Sequence, residues 1–230
     1  VKKMQVDNSK NQGAFIELLS LLREKSSVFC YKSDSKARGF ATMLAQEIQK
    51  EDNLPVIRIC WNENEQENHN FPSDTCSFYI FRNYTTSLIQ IQKKISRKKY
   101  LIVVSDISKL EEGQNSRPYL RFLSILLRKS EEYGSTMITT IDSDSQTPLI
   151  RSELIPHFNN YYLIENGKLI IDNKEIPNLK YSIRDDRLYL EPVLQDDLNK
   201  IKEIFSLTAE EKKELDKIVG QSFDEYRTSL

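Results

Sequence analysis

The stretch Cys30-Tyr31-Lys32-Ser33-Asp34-Ser35-Lys36-Ala37-Arg38-Gly39-Phe40, CYKSDSKARGF, joins two segments of different period. Upstream, SSVFCY (26–31) is a short run of strand type. Downstream, Phe40, Met43, Leu44 and Ile48 recur at helical spacing through FATMLAQEIQK. A polar connection between a buried strand and an amphipathic helix is a unit from which helix-covered sheets are built.

The same alternation continues outward in both directions. Before the stretch, Phe15, Leu18, Leu19 and Leu22 predict a helix of about two turns. After it come the strand LPVIRICW, opened by Pro55, a polar loop from Asn62 to Asn70, and the strand SFYIF. Leu88, Ile91 and Ile95 then mark one face of a helix from Thr86 to Arg97. It feeds into YLIVVSD (100–106), the strongest buried-strand signal in the chain. The segment RPYLRFLSILLRKSEEYG carries a helical stripe of Leu120, Phe122, Leu123, Leu126 and Leu127. Gly134 should stop that helix before the strand STMITTID.

Past Asp142 the pattern changes. NNYYLIENGKLII predicts two strands joined at Asn166-Gly167, and LKYSIRDDRLYLEPV predicts a second pair turning at Asp185-Asp186. The tail holds two helical stripes, Leu194, Leu198, Ile201 and Phe205, then Leu215, Ile218, Val219 and Phe223. Thr208 and Glu211 stand in capping-box spacing before the second. Strands alternating with helices require a mostly parallel sheet covered on both faces, with the later meander extending it antiparallel. The expected class is therefore three-layer α/β, with a core over residues 1–193 and a C-terminal helical extension over 194–230. Ligands of such sheets gather at the carboxyl ends of the strands.

Composition narrows the function classes. The 230 residues suffice for one substantial core, and 33 basic against 34 acidic residues leave a formal charge of -1, so the chain as a whole gives no argument for a polyanion partner. Three cysteines without a CxxC pair point to a reducing compartment, and Cys30 and Cys60 fall in predicted buried strands. The only two histidines, His69 and His157, lie far apart, so neither a metal site nor a Ser-His-Asp triad is expected. No apolar run approaches membrane-spanning length and no leader pattern is visible, so a cytoplasmic protein without membrane contact is expected. Six glycines are few, and close approach of backbone to phosphate uses glycine.

With these elements in place, the order of strands and helices from Phe15 to Val193 resembles the RecA-fold ATPases of the P-loop superfamily, within them the KaiC-like branch common in archaea. The opening stretch takes the place of that family's phosphate loop, GxxxxGK[ST]. Lys32 falls at the first glycine, Ala37 at the second, Arg38 at the lysine and Gly39 at the Ser/Thr. Only the positive charge survives. Side chains at the glycine positions hinder a cradle of backbone N–H groups, arginine is bulkier than lysine, and glycine offers Mg²⁺ no hydroxyl.

Three further places carry the resemblance. ICWNEN is similar to the strand that ends in an acidic pair, with Asn62 at the first position and Glu63 at the second. Glu63 reads either as a vestigial catalytic residue or as a solvated loop residue. LIVVSDIS looks like the family's second nucleotide motif, an apolar strand ending in Asp106, which in the family holds the metal's water shell. TMITTID with the following hairpin is similar to the strands that close a KaiC-like sheet. Lys180 or Arg184 could then reach a neighbouring subunit's nucleotide, or be plain surface charges.

The resemblance with these departures implies a catalytically inactive RecA-fold protein, a regulatory or scaffold subunit with a protein partner or a homo-oligomeric state, and no cofactor beyond ATP or ADP bound without hydrolysis. Two alternatives remain open. One is a nucleic-acid-associated recombination or repair accessory protein using Lys93, Lys94, Arg97, Lys98 and Lys99, a run that could equally solvate a helix end. The other is a nucleotide-binding ATPase with a non-standard loop through Arg38. Tyr161 and Tyr162 read as hairpin packing, whereas Trp61 borders the expected ligand crevice.

Overall fold

A computed structural model describes residues 8–32, 35–61, 75–80, 83–108, 116–145, 148–165, 167–171, 178–184 and 187–192. The chain opens on helix α1 (Asn8–Leu22) and strand β1 (Ser26–Tyr31), followed by α2 (Ser35–Asp52), β2 (Val56–Cys60) and β3 (Cys76–Tyr79). Then come α3 (Tyr84–Ile95), β4 (Leu101–Val104), α4 (Ser116–Glu132), β5 (Thr136–Asp142) and a short α5 (Pro148–Glu153). Strands β6 (Asn160–Glu165), β7 (Lys168–Ile170), β8 (Leu179–Arg184) and β9 (Arg187–Pro192) complete the described part. The expected boundary after Val193 and the helical extension lie outside the described residues.

These strands form one sheet in the order β3-β2-β4-β5-β1-β6-β7-β8-β9. The first six are mutually parallel, and β7, β8 and β9 add antiparallel ladders. The fold is thus the expected three-layer α/β architecture, with one difference in where it changes direction. Strand β6 is parallel to β1, with Val28 opposite Tyr161, so the antiparallel part begins one strand later than the meander pattern suggests. The reason is length. Parallel neighbours need a crossover of about a dozen residues or more, and α5 with the turn Ile155–His157 carries the chain from β5 across β1.

The crossovers sort the helices onto two faces. The step from β1 to β2 places α2 beside α1, where Leu18, Leu22, Phe40, Leu44 and Ile48 bury against Phe29, Tyr162 and Leu179. The steps through α3, α4 and α5 run the other way along the sheet and occupy the opposite face. There Ile91, Ile95, Leu123, Leu127 and Leu154 bury against Val28, Ile57 and Ile102. Strand β1 feeds both cores by alternation: Val28 and Cys30 point to one, Phe29 and Tyr31 to the other.

Local chemistry sets the ends of these elements. Helix α1 begins at Asn8, earlier than its apolar stripe requires, since each added residue costs little once a turn is nucleated. Helix α4 stops where expected: Gly134 has φ +64, its N–H donates to the Glu131 carbonyl at 3.1 Å, and the Ser135 N–H donates to the Ser130 carbonyl at 2.8 Å. These two bonds are a Schellman motif. Gly167, with φ +75, turns the β6–β7 hairpin, and Arg184 pairs with Arg187 across the β8–β9 turn.

Candidate functional site

Because β2, β4, β5 and β1 run parallel, their carboxyl ends meet on one edge of the sheet, and they bring together Trp61, Asp106, Asp142 and Tyr31. The chain leaves β1 toward β2 over one face and leaves β5 toward β6 over the other, so these adjacent strands mark a point where the winding reverses. Crevices of open α/β sheets open at such points.

Asp106 lies two residues beyond β4 and is only 6% exposed. The Tyr31 phenol, 2% exposed at the last position of β1, donates to its Oδ2. The Ser108 backbone N–H donates to its Oδ1 at 2.9 Å, and the Trp61 indole Nε1–H donates to its main-chain carbonyl at 2.7 Å. Ser108 in turn accepts from the Asp142 N–H through Oγ at 2.6 Å, and Asp142 Oδ1 accepts from the Asp144 N–H at 3.0 Å. Both oxygens of the Asp106 side chain accept hydrogen bonds from within the chain, as a buried polar group requires.

Around this network lies an aromatic series. The Trp61 ring is 6.3 Å from Tyr119 at the start of α4, and Tyr119 is 6.1 Å from Tyr84 at the start of α3, both edge-on. Tyr84 is 40% exposed and Arg117 is also exposed, so the series runs from the buried carboxylate to the surface. Among the described residues no group of three His, Cys, Asp or Glu could hold a metal ion.

The residues matched to the phosphate loop are distributed differently from a loop. Strand β1 ends at Tyr31 and α2 begins at Ser35, and Ser33 and Asp34 lie outside the described residues. Lys32 is exposed, and Ala37, Arg38 and Gly39 belong to α2. The side chains of Ala37 and Arg38 lie outside the described residues. A Cβ on Gly39 would only touch Ile183 Cδ1 at 3.7 Å, so its backbone approaches nothing that requires glycine. Glu63, Asn62 and His69 also lie outside the described residues. Lys180 is exposed on β8, and Arg184 ends that strand.

The basic run sits at the other edge of the sheet. It precedes Leu101, the first residue of β4, whereas Asp106 follows the last. Lys93, Lys94, Arg97 and Lys98 surround a groove of about 500 Å³ together with Gln90 and Tyr100. Lys99 leaves the group and pairs with Glu24. Cys30 and Cys60 are buried, Tyr162 is buried as packing, and Tyr161 is 44% exposed. The site residue that sequence reasoning passed over is Tyr31. Its only signal was a phenol at the last position of an otherwise apolar buried strand.

The strand order, with helices on both faces of a mostly parallel sheet, is that of a RecA-like α/β fold. Among solved structures, the chain is similar to a KaiC-like protein from the hyperthermophilic archaeon Pyrococcus horikoshii OT3. The likeness has TM-score 0.57 and 12% sequence identity, over 74% of this chain and 91% of that one. At that identity the likeness is one of fold. No protein-family model matches the chain, and no curated protein matches it in sequence. Among the described residues no helix is long and apolar enough to cross a membrane.

Proposed function

We propose that the chain is a catalytically silent RecA-fold protein, a pseudo-ATPase that serves as a regulatory or scaffold subunit through protein–protein contacts. The observation that carries this reading is the Tyr31 phenol on the Asp106 carboxylate. In a phosphoryl-transfer site the acidic residue at this strand end is left for the metal's water shell, and catalysis is positioning and charge stabilisation around the γ-phosphate. Here that oxygen accepts from a fixed phenol, and metal binding would have to break a buried, charge-assisted hydrogen bond. Lys32 and Ala37 stand where the motif has its two glycines, which hinders a nest of N–H groups, and Gly39 supplies no hydroxyl. Loss of a single preorganised donor costs about 2.7–4 kcal/mol of transition-state stabilisation, so the combined losses are incompatible with useful turnover. A magnesium nucleotide here would have to displace the Tyr31 phenol from Asp106 and would find no hydroxyl at Gly39.

The contact role is supported by the surface above the network. Tyr84, Tyr119 and Arg117 are of the residue types enriched at protein interfaces. The test is a phosphate-release assay with magnesium ATP, run beside calorimetric titration with ATP and ADP. We expect no turnover. Turnover that disappears in Asp106→Asn would overturn the reading, and saturable ADP binding without turnover would assign the nucleotide a structural role.

A further inference from the structure

We propose that the groove formed by Gln90, Lys93, Lys94, Arg97, Lys98 and Tyr100 binds the phosphate backbone of double-stranded nucleic acid. The groove is independent of the silent crevice. Tyr100 and Asp106 stand at opposite ends of β4, roughly 20 Å apart at about 3.3 Å per extended residue.

Four cations fall within positions 93–98 of a chain whose formal charge is -1, so the local field is unlike that of the whole surface. None of the four has a carboxylate partner among the described residues, while the neighbouring Lys99 does. The helix end does not require this arrangement. Cations in the last turn of α3 complement its dipole, but the Arg97 N–H bonds to the Lys94 carbonyl at 3.1 Å and keeps the chain tightly wound. Lys93 therefore lies one turn from Arg97, and Lys94 one turn from Lys98. Like charges at that spacing cost about 0.2–0.5 kcal/mol each, a cost that a bound anion reverses.

Shape selects among polyanions. The cations line a recess, which accepts a projecting phosphate ridge and suits a flat bilayer poorly. Tyr100, one of the residues lining it, is 8% exposed and has the Lys98 ammonium 5.3 Å from its ring centroid, so it offers little open face to an unstacked base. Single-strand binding draws much of its energy from such stacking. What remains is phosphate contact from four cations and the Gln90 amide, which positions a duplex without reading its sequence.

Neutralising about four phosphates gives a slope of log K against log salt of about -3.6, a loss of about 150-fold between about 50 and 200 mM salt. The test is fluorescence anisotropy of the full chain with a labelled mixed-sequence duplex across that salt range. Single strands of the same sequence and anionic lipid vesicles run as parallel arms. In the triple variant Lys93→Gln, Lys94→Gln, Arg97→Gln the slope should fall to about -0.9, and affinity at low salt should drop at least about 100-fold. Lys93→Glu alone, an exposed position that should leave the melting temperature unchanged, should already lower the slope, and Lys50→Gln on α2 should not. The proposal is overturned by undetectable duplex binding at low salt, by a slope that the variants leave unchanged, or by tighter binding of single strands or vesicles than of the duplex.

Discussion

Replacing Tyr31 with Phe removes one buried oxygen at the carboxyl end of β1 and leaves the ring where it packs. The lost bond is from a phenol to the Asp106 carboxylate, and both residues are buried. A hydrogen bond to a charged group contributes about 1.5–3 kcal/mol, and the carboxylate would keep the Ser108 N–H while losing a donor on its other oxygen. For a chain of this size each kcal/mol moves the melting temperature by about 2–4 °C, so Tyr31→Phe should melt about 3–12 °C lower. Urea titration should show a lower midpoint with an unchanged slope, since the native packing is retained. The specific claim is that the loss is shared with Asp106. In a double-mutant cycle with Asp106→Ala, the two changes should be less than additive by at least about 1 kcal/mol. Additive effects, or a Tyr31→Phe change below about 0.5 kcal/mol, would refute the argument that this bond occupies the carboxylate.

Two further outcomes follow from the cores on either side. The Tyr162 hydroxyl is buried without a hydrogen-bond partner, stacked at 5.2 Å on Phe29, and burial raises its pKa well above the ordinary tyrosine value. The native state therefore keeps a proton that the unfolded chain releases. The resulting stability is fully present below about pH 10 and falls by up to about 1.4 kcal/mol per pH unit above it. Tyr162→Phe should be neutral or stabilising near pH 7 and should remove one such slope at alkaline pH, measured by urea unfolding at each pH. At the end of α4, Gly134→Ala should cost about 1–2 kcal/mol, because φ +64 puts a Cβ in the left-handed region and 3.2 Å from Lys99 Cε. Thermal unfolding checks it, and an unchanged melting temperature would show that the turn relaxes.

The sequence by itself determined what depends on neighbours within a few residues. The period of SSVFCY and of the helix after it gives strand and helix. Gly134 gives the stop of α4, and Gly167 gives the turn of the β6–β7 hairpin, while Asn166, Asp185 and Asp186 lie outside the described residues. Each is set by local sterics and by the face that must be buried. The basic run and the apolar strand ending in Asp106 were also legible, though not their relation. Tertiary structure decided everything that joins distant segments: that β5 stands between β1 and β4, that β6 lies parallel to β1, and that Lys99 turns to Glu24 while four other cations enclose a groove. It also decided that Tyr31, 75 residues away in sequence, is the group that occupies Asp106. Periodicity fixes which side of an element is apolar but not which other element covers it. That choice is made by the packing of the whole sheet, and the contacts at the strand ends follow from it.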